Sequence, residues 1–388
     1  MSNRKKILWL VSWYPNRKDL FDGDFIQRHA RAAAIYNDIH VIFVKGDEDV
    51  LIEEEELSKA TGLTEQVIYY RKKQGVIGAL YNFFTWKKTI RRAIDAYIVQ
   101  QGMPGLVHVH VPWKAGLAAL YVKKKYGISF VITEHWGIYN NNLEDSVAQR
   151  PAYFRHYLEK IFSQAAAVIT VSDFLGRSLI EFGVTKNYTV IPNVVDTTLF
   201  FPRKEKYQRF SFIHVSNMEP VKNVHQILRA FARYVEEGGE DVQLILAGNR
   251  NDEVKIFAES LGMLDRLVFF RGEISYREVA EEIGRSHCLV MFSSSETFSC
   301  VTAEALCSGV PVIASAAGAL PELVNHSNGI LVEPGNINDL VKAFGWVRQN
   351  PGFNPAAISA EASVRFGYPS VAEKFRQFYA EFPPGSKL

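Results

Sequence analysis

The 388-residue sequence has few cysteines, little net charge and no long apolar run, and each shortage excludes a class of protein. Its three cysteines are too few for a disulfide framework and lack the paired spacing of a zinc site, so we expect a reducing compartment. A formal net charge of +2 gives no reason to expect a nucleic-acid partner. No stretch approaches the roughly 18 apolar residues that span a bilayer. We therefore expect a cytoplasmic protein with at most peripheral membrane contact.

The N-terminal run ILWLVSW resembles the start of a signal peptide, but it is short and is followed by Tyr14-Pro15-Asn16 rather than by a small-residue cleavage site. We interpret it as a first buried strand. The chain is 47% hydrophobic, which is enough for a packed core. Its length predicts about two domains, and two domains imply a cleft between them.

Short β-rich apolar runs recur along the chain, and most are followed by a longer helical pattern. Unbroken apolar strands that alternate with helices indicate parallel sheets covered on both faces. Each half is therefore predicted to be a doubly wound α/β domain. The helical patterns lie at 24–36, 114–126, 173–182, 222–236, 252–262, 276–285 and 300–308.

The break between the halves is placed at 197–210, where proline and charged residues occur together. This predicts an N-terminal acceptor-binding domain over 1–200 and a C-terminal donor-binding domain over 201–365. A last helix, 366–382, is expected to pack back on the first domain. The acidic run 53–56 is interpreted as a solvated helix face rather than a metal site.

The most informative segment is 291–322, in which Glu296 follows a buried strand and Glu304 lies in the next helix. The free amides at that helix N-terminus attract phosphate. A loop carboxylate can accept hydrogen bonds from sugar hydroxyls, and Glu304 can reach a pair of ribose hydroxyls. Taken alone, the two glutamates could equally be exposed residues or helix caps.

The segment SSSETFSCVTAEALCSGVPVIAS, followed by Gly318 and Glu322, resembles the signature of glycosyltransferase family 4. The resemblance continues through VITVSDFL at 168–175, VIPNVVDTTLF at 190–200 and VQLILAG at 242–248. It implies the GT-B fold, in which two Rossmann-like domains face each other across a cleft. It also implies a retaining transfer of a sugar from a nucleoside-diphosphate donor, with no catalytic metal and no cofactor.

The resemblance assigns roles by position. Glu296 matches the residue that grips the donor sugar, Glu304 the ribose ligand, and Lys222 the lysine that neutralises the diphosphate. His135, directly after the strand FVITE, matches an active-site histidine. The remaining donor-side positions are Asn217, Gly248, Phe298, Ser299, Cys300 and Val301.

Further candidates lie in the N-terminal half. Gly23 lies between the first strand and a helix, where a missing side chain would let the backbone approach the donor phosphates. The surrounding triplet Asp22-Gly23-Asp24 is interpreted as a loop rather than a metal site. His108 and His110 share one strand face, and no third metal ligand is apparent. We expect His110 to line the cleft near the acceptor, with His108 buried behind it.

One position departs from the family pattern. Many members have an arginine five residues before the lysine, where this chain has Asn217, so half of the usual cationic clamp is missing. Two alternatives therefore stay open: a non-catalytic sugar-nucleotide-binding module, and a nucleotide-sugar epimerase or sugar phosphorylase of the same fold. A fainter resemblance to malate glucosaminyltransferases is not adopted, because Glu219 stands where an arginine would be expected.

The stretch 71–92 combines basic and aromatic residues densely. We expect it to lie on an anionic membrane surface and to bring a glycan or lipid-linked acceptor to the enzyme. The alternative is a solvated helix whose aromatic rings pack inward. The expected process is cell-surface polysaccharide or glycolipid synthesis, and no motif names the sugar or its nucleotide.

Overall fold

A computed structural model describes residues 4–139, 146–239, 241–249, 252–350 and 352–383. The chain divides into two compact units, one formed by 1–194 with 369–388 and the other by 195–368. Each unit is an α/β layer structure. The division lies close to the sequence boundary at 200, and the C-terminal helix belongs to the first unit.

The first unit is built on an eight-stranded sheet with the order β3-β4-β2-β1-β5-β6-β7-β8. All neighbouring strands are parallel except β3 and β4, which pair antiparallel. The strands are β1 (Lys6–Val11), β2 (Asp38–Asp47), β3 (Glu54–Ala60), β4 (Leu63–Arg71), β5 (Leu106–His110), β6 (Phe130–Glu134), β7 (Val168–Thr170) and β8 (Thr189–Val190). The central strands β5 and β6 are buried along their whole length, as their apolar runs predicted.

The helices of this unit are α1 (Asp24–Ala33), α2 (Gly75–Gln101), α3 (Pro112–Tyr126), α4 (Ala152–Gln164), α5 (Asp173–Phe182) and α13 (Tyr368–Ala380). Gly23 precedes α1 in a left-handed conformation, and Ser172 caps α5 by accepting a hydrogen bond from the Leu175 amide. Helix α13 packs on the sheet through Tyr379, whose hydroxyl lies 2.6 Å from Nδ1 of His108.

The interpretation of residues 53–56 as a helix face is wrong. Most of this run lies in β3, an edge strand that is exposed at every residue. Its glutamates pair with cations of neighbouring elements: Glu54 contacts Arg17 at 2.6 Å, and Glu53 pairs with Arg92. Charged side chains on an exposed edge discourage pairing with other chains, which explains why an acidic run is compatible with a strand here.

The second unit contains a six-stranded parallel sheet with the order β11-β10-β9-β12-β13-β14. Its strands are β9 (Phe210–Val215), β10 (Val242–Ala247), β11 (Val268–Gly272), β12 (Cys288–Met291), β13 (Val312–Ser315) and β14 (Gly329–Val332). Its helices are α6 (Val224–Glu236), α7 (Asp252–Ser260), α8 (Tyr276–Arg285), α9 (Cys300–Cys307), α10 (Leu320–Leu323), α11 (Ile337–Gln349) and α12 (Pro355–Phe366).

The direction of strand addition in this sheet reverses at β9, which lies between β10 and β12. Open parallel sheets bind ligands at such a reversal, beyond the carboxyl ends of the strands. The loops that leave β9 and β12 are therefore where a donor site is expected. Within the part of the chain that the structure describes, no helix is both long and apolar enough to cross a membrane.

Candidate functional site

The loops after β9 and β12 bring Lys222 and Glu296 together. Lys222 ends a short 3-10 turn, and its Nζ lies 2.7 Å from Oε1 of Glu296. The lysine side chain is 20% exposed and the glutamate 9%, so the pair is largely withdrawn from water. A hydrogen bond from the amide of Ser294 to the carbonyl of Val221, 2.8 Å long, ties the two loops to each other.

The Glu296 carboxylate is held from its own loop as well. Ser293 Oγ donates to Oε1 of Glu296 at 2.8 Å, and the backbone carbonyl of Glu296 accepts from the amide of Ala319 at 2.8 Å. Gly318 has φ 60°, and a Cβ there would lie 2.2 Å from that carbonyl oxygen. Glycine is therefore required at 318 both for its conformation and for the close approach.

Glu304 is the fifth residue of α9 and is 4% exposed. The hydroxyl of Tyr276 donates to Oε1 of Glu304 at 3.0 Å. Ser299 precedes the helix with φ 72°, so the chain turns sharply into α9, whose first amides are those of Cys300 and Val301. These amides and two carboxylates are the groups that could hold a phosphorylated, hydroxyl-rich ligand.

The side chain of Phe298 points away from any ligand. It is 3% exposed, and its ring packs edge-on against Phe366 with the centroids 5.6 Å apart. Of the predicted loop positions, 298 can therefore contact a ligand only through its backbone. The packing of this ring instead anchors the loop against α12.

Asn217 lies in an exposed position of the loop after β9. Its Oδ1 accepts a long hydrogen bond, 3.4 Å, from the amide of Glu219. The preceding Ser216 is fixed more firmly, because its Oγ lies 2.7 Å from Nε2 of the buried His214 and accepts from the Met218 amide at 3.0 Å. Burial lowers the pKa of His214 to about 4, so this anchor is uncharged at neutral pH.

Gly248 ends β10 with φ 137°, and a Cβ at this position would overlap the carbonyl of Ser216. It borders a cavity of about 360 Å³, whose other walls include Lys255, Phe270 and Arg271. The pattern of the sequence indicated the glycine but not Arg271. Tyr276 and Ser293 were also missed, since nothing local to the sequence pairs either of them with a glutamate.

In the first unit, His110 and His135 end neighbouring strands, and Nδ1 of His110 lies 3.1 Å from Nε2 of His135. Both residues are buried, at 0% and 6% exposure, so the His110 side chain is closed off from solvent in this structure, and its expected place in a cleft near the acceptor stays a prediction. His108 is buried behind it as predicted, between Tyr379 and Thr133. Burial lowers the pKa of each of these histidines well below its ordinary value.

The structure adds His29, which the sequence did not single out. His29, His110 and His135 have potential metal-ligand nitrogens within 4.8 Å of one another. His29 Nε2 faces the carbonyl of Pro192 at 2.9 Å and so carries the proton, which leaves its Nδ1 as the acceptor. If His110 and His135 both bound a metal, the hydrogen bond between their rings would be replaced or broken. His108 does not belong to this set, although its ring centroid lies 4.2 Å from that of His110.

The backbone after β6 is fixed by Glu134. Its Oε1 accepts from the amides of His135 and Trp136 at 2.8 and 2.9 Å, and Tyr139 donates to its other oxygen. Burial raises the pKa of Glu134 to about 7, although these hydrogen bonds act to lower it.

Gly23 is fixed by packing, because a Cβ there would lie 2.7 Å from the carbonyl carbon of Trp13. Its predicted approach to phosphate stays a prediction.

Two family models match the chain in succession: Glycosyltransferase Family 4 over residues 27–199 and Glycosyl transferases group 1 over 196–363. Among curated relatives, the MMP alpha-(1->4)-mannosyltransferase of Mycolicibacterium hassiacum is 29% identical over 58% of each chain. The N-acetyl-alpha-D-glucosaminyl L-malate synthase of Bacillus anthracis is 27% identical over 62% of this chain and 64% of the relative. The matches thus span less than two thirds of either relative.

Solved structures match over nearly the whole chain. Sucrose-phosphate synthase from Thermosynechococcus elongatus has a TM-score of 0.79 at 19% identity, covering 97% of this chain and 99% of that one. The Anabaena protein HepE, in complex with UDP and glucose, has a TM-score of 0.71 at 18% identity, covering 97% and 100%. At these identities the likeness shows the fold.

Proposed function

The chain belongs to the family 4 type of glycosyltransferases and has the GT-B fold, and from this we propose that it moves a hexose from a nucleoside-diphosphate sugar to a hydroxyl group. The acceptor is a glycan, a lipid-linked sugar or a small molecule, and the transfer retains the anomeric configuration. The process we propose is cell-surface polysaccharide or glycolipid synthesis. The observation that carries the proposal is the contact between Lys222 and Glu296 beside the N-terminus of α9.

The proposed reaction breaks the bond from the anomeric carbon to the diphosphate oxygen and forms one to the acceptor oxygen on the same face. The acceptor proton goes to the leaving phosphate, so no protein nucleophile is needed. Lys222 and the amides at the start of α9 stabilise the charge that develops on the diphosphate. Because they supply this positive charge, we propose no metal for the step.

The carboxylates position the donor in this scheme. Glu296 accepts hydrogen bonds from sugar hydroxyls, and Glu304, held by Tyr276, accepts them from the ribose. His135 is kept uncharged by burial, and its Nδ1 has no partner among the described residues. We propose His135 as an active-site residue because it directly follows β6, at the carboxyl edge of the sheet.

Thermal-shift screening against UDP-, GDP- and ADP-sugars, followed by turnover with the donor that binds, tests the proposal. Glu296→Ala and Lys222→Ala are expected to cut turnover by about 10²–10³-fold while the protein stays folded. Lys342→Ala is the matched control, since that lysine is 79% exposed on α11. Near-normal turnover in both site variants would contradict the assignment.

Three other results would each replace the proposal with one of the alternatives. Binding of a nucleoside diphosphate without transfer to any acceptor would indicate a non-catalytic module, the reading that Asn217 favours. Isomerised sugar from donor alone would indicate an epimerase, and cleavage that requires phosphate a phosphorylase.

We further propose that the first half of α2 docks on an anionic membrane. Its exposed apolar side chains lie on one side of the helix at one-turn spacing, and we call them the apolar face of α2: Val76, Ile77, Leu80, Tyr81 and Phe84. Val76 and Ile77 are 85% and 86% exposed. Trp86 packs inward, so the aromatic residues of this stretch divide between core and surface.

Exposed cations flank the apolar face of α2. Lys72 and Lys73 precede the helix, Lys88 lies further along it, and Nζ of Lys73 lies 4.0 Å from the ring centre of Tyr81. Apolar side chains next to lysines are the combination that binds the interface of an anionic bilayer, each cation contributing about 1 kcal/mol.

Co-sedimentation with vesicles tests the docking. The unchanged protein is expected to pellet with phosphatidylcholine vesicles that contain phosphatidylglycerol, and less with phosphatidylcholine alone. Ile77→Ser with Leu80→Ser should abolish pelleting, whereas Ile256→Ser, on a residue 64% exposed in the second unit, should not. Equal pelleting with and without phosphatidylglycerol, or normal pelleting of the double variant, would refute the docking.

A further inference from the structure

Six aromatic rings form an unbroken row in the first unit. The centroids of successive rings are 4.3 to 6.5 Å apart in the order Phe25, Trp13, Trp136, Phe154, Trp113 and Tyr153. We call this set the aromatic row. Phe154 is 5% exposed and supports the others, Tyr153 is 61% exposed, and the remaining four rings are partly exposed. Five of the six residues are therefore at least partly exposed to solvent.

The aromatic row lies where a ligand site of an open parallel sheet is expected. Its three tryptophans follow β1, β5 and β6, which are adjacent strands of the sheet. Each comes within a few residues of the carboxyl end of its strand. The row therefore borders the carboxyl edge of the sheet, where loops from neighbouring strands converge on substrates.

Polar groups fix the segments that carry the tryptophans. The single hydroxyl proton of Ser12 Oγ is shared between the carbonyls of Val111, at 2.7 Å, and Trp113, and Oγ accepts from the amide of Ala115 at 3.2 Å. Val111 and Lys114 both have φ 58°, a strained conformation for residues with a side chain. Trp113 and Lys114, at the start of α3, have non-helical backbone angles and are thus held in a costly shape by hydrogen bonds.

The other two tryptophans are held as firmly. Glu134 accepts from the amide of Trp136, and Gly23 lets the next helix approach the backbone of Trp13 to a distance that excludes any side chain. Rings that are rigid before a ligand arrives lose little entropy when it binds. These backbone contacts leave the exposed parts of the rings uncovered. They therefore do not explain why so many partly exposed rings lie together.

We infer that the aromatic row binds a pyranose ring of the acceptor, so that the acceptor is a glycan. One face of a pyranose carries C–H groups and packs on an aromatic face, while its hydroxyls project around the edge. Polar partners for hydroxyls accompany the row: the guanidinium of Arg150 lies 5.4 Å from the Trp136 ring centre, and Lys114 is exposed next to Trp113. An alkyl chain would gain nothing from these charges. The inference rests on the proposed function and names its acceptor class.

A printed array of bacterial and plant oligosaccharides tests the inference with the labelled full chain. The unchanged protein is expected to bind a subset of the glycans, and Trp13→Leu and Trp136→Leu should each weaken that binding about tenfold. Trp136→Phe keeps a ring and should recover part of it. Trp346→Leu is the matched control, because Trp346 is 47% exposed on α11 of the second unit.

Thermal unfolding and nucleotide binding of each variant separate this inference from the proposed function. Leu variants that keep the midpoint and the nucleotide affinity of the unchanged protein, but lose glycans, support it. No glycan binding by the unchanged protein, or equal binding by Trp13→Leu, Trp136→Leu and Trp346→Leu, would overturn it. If nucleotide binding fails in every protein while glycans bind through the row, the proposed function is wrong, and only the binding of glycans by the row stands.

Discussion

Glu296→Gln and Lys222→Met are expected to change the affinity for a nucleoside diphosphate in opposite directions, although both abolish most turnover. In the free protein the Glu296 carboxylate lies 2.7 Å from the Lys222 ammonium group, and the two side chains are largely withdrawn from water. An incoming diphosphate must share that ammonium group. The carboxylate therefore competes with the diphosphate and repels it.

The magnitudes follow from the contacts. A hydrogen bond between charged groups contributes about 1.5–3 kcal/mol, so Lys222→Met should weaken diphosphate binding about 10–150-fold. Glu296→Gln keeps the hydrogen bond from Ser293 and removes the competing charge. A gain of about 1 kcal/mol, or about fivefold tighter binding, is expected. The double variant should resemble Lys222→Met alone, because the competition matters only while the ammonium group is present.

Isothermal titration with UDP and with GDP measures the affinities, and initial rates with the matching sugar donor measure turnover. Circular dichroism checks that Lys222→Met is folded, since it leaves a nine-tenths buried carboxylate without its cation. If Glu296→Gln weakens diphosphate binding as much as Lys222→Met does, the glutamate holds the phosphate rather than the sugar, and the reasoning fails.

Three other results are expected. Gly318→Ala should lose turnover and unfold at a lower temperature than Gly335→Ala. Both glycines have positive φ, but only a Cβ at 318 would lie against Glu296. Equal unfolding midpoints would contradict this. Burial lowers the pKa of His29 to about 4, so its stability contribution is complete above pH 6.5 and falls by about 2 kcal/mol at pH 5. His29→Gln should therefore show a smaller loss of midpoint between pH 7 and 5, and parallel curves would refute the linkage. EDTA should leave turnover unchanged, and a loss restored by a divalent cation would refute the metal-free mechanism.

The local pattern of the chain was enough for most of the architecture. Helices 173–182 and 276–285 begin and end where their periodicity predicted, because apolar spacing and capping residues act within one segment. The acidic run 53–56 was assigned wrongly because its structure depends on a contact with another segment. A strand at the edge of a sheet needs no apolar alternation, and its pairing with β4 is a contact between segments.

The sequence by itself also singled out Lys222, Glu296 and Glu304 as candidates, because the family motif preserves their order along the chain. Only the tertiary structure decided that Lys222 reaches Glu296, that Tyr276 holds Glu304, and that rings from separate loops form one row. It also decided which side of α2 stays exposed. Periodicity specifies a residue's place within its own helix or strand, whereas distances between segments depend on how the sheets and helices pack.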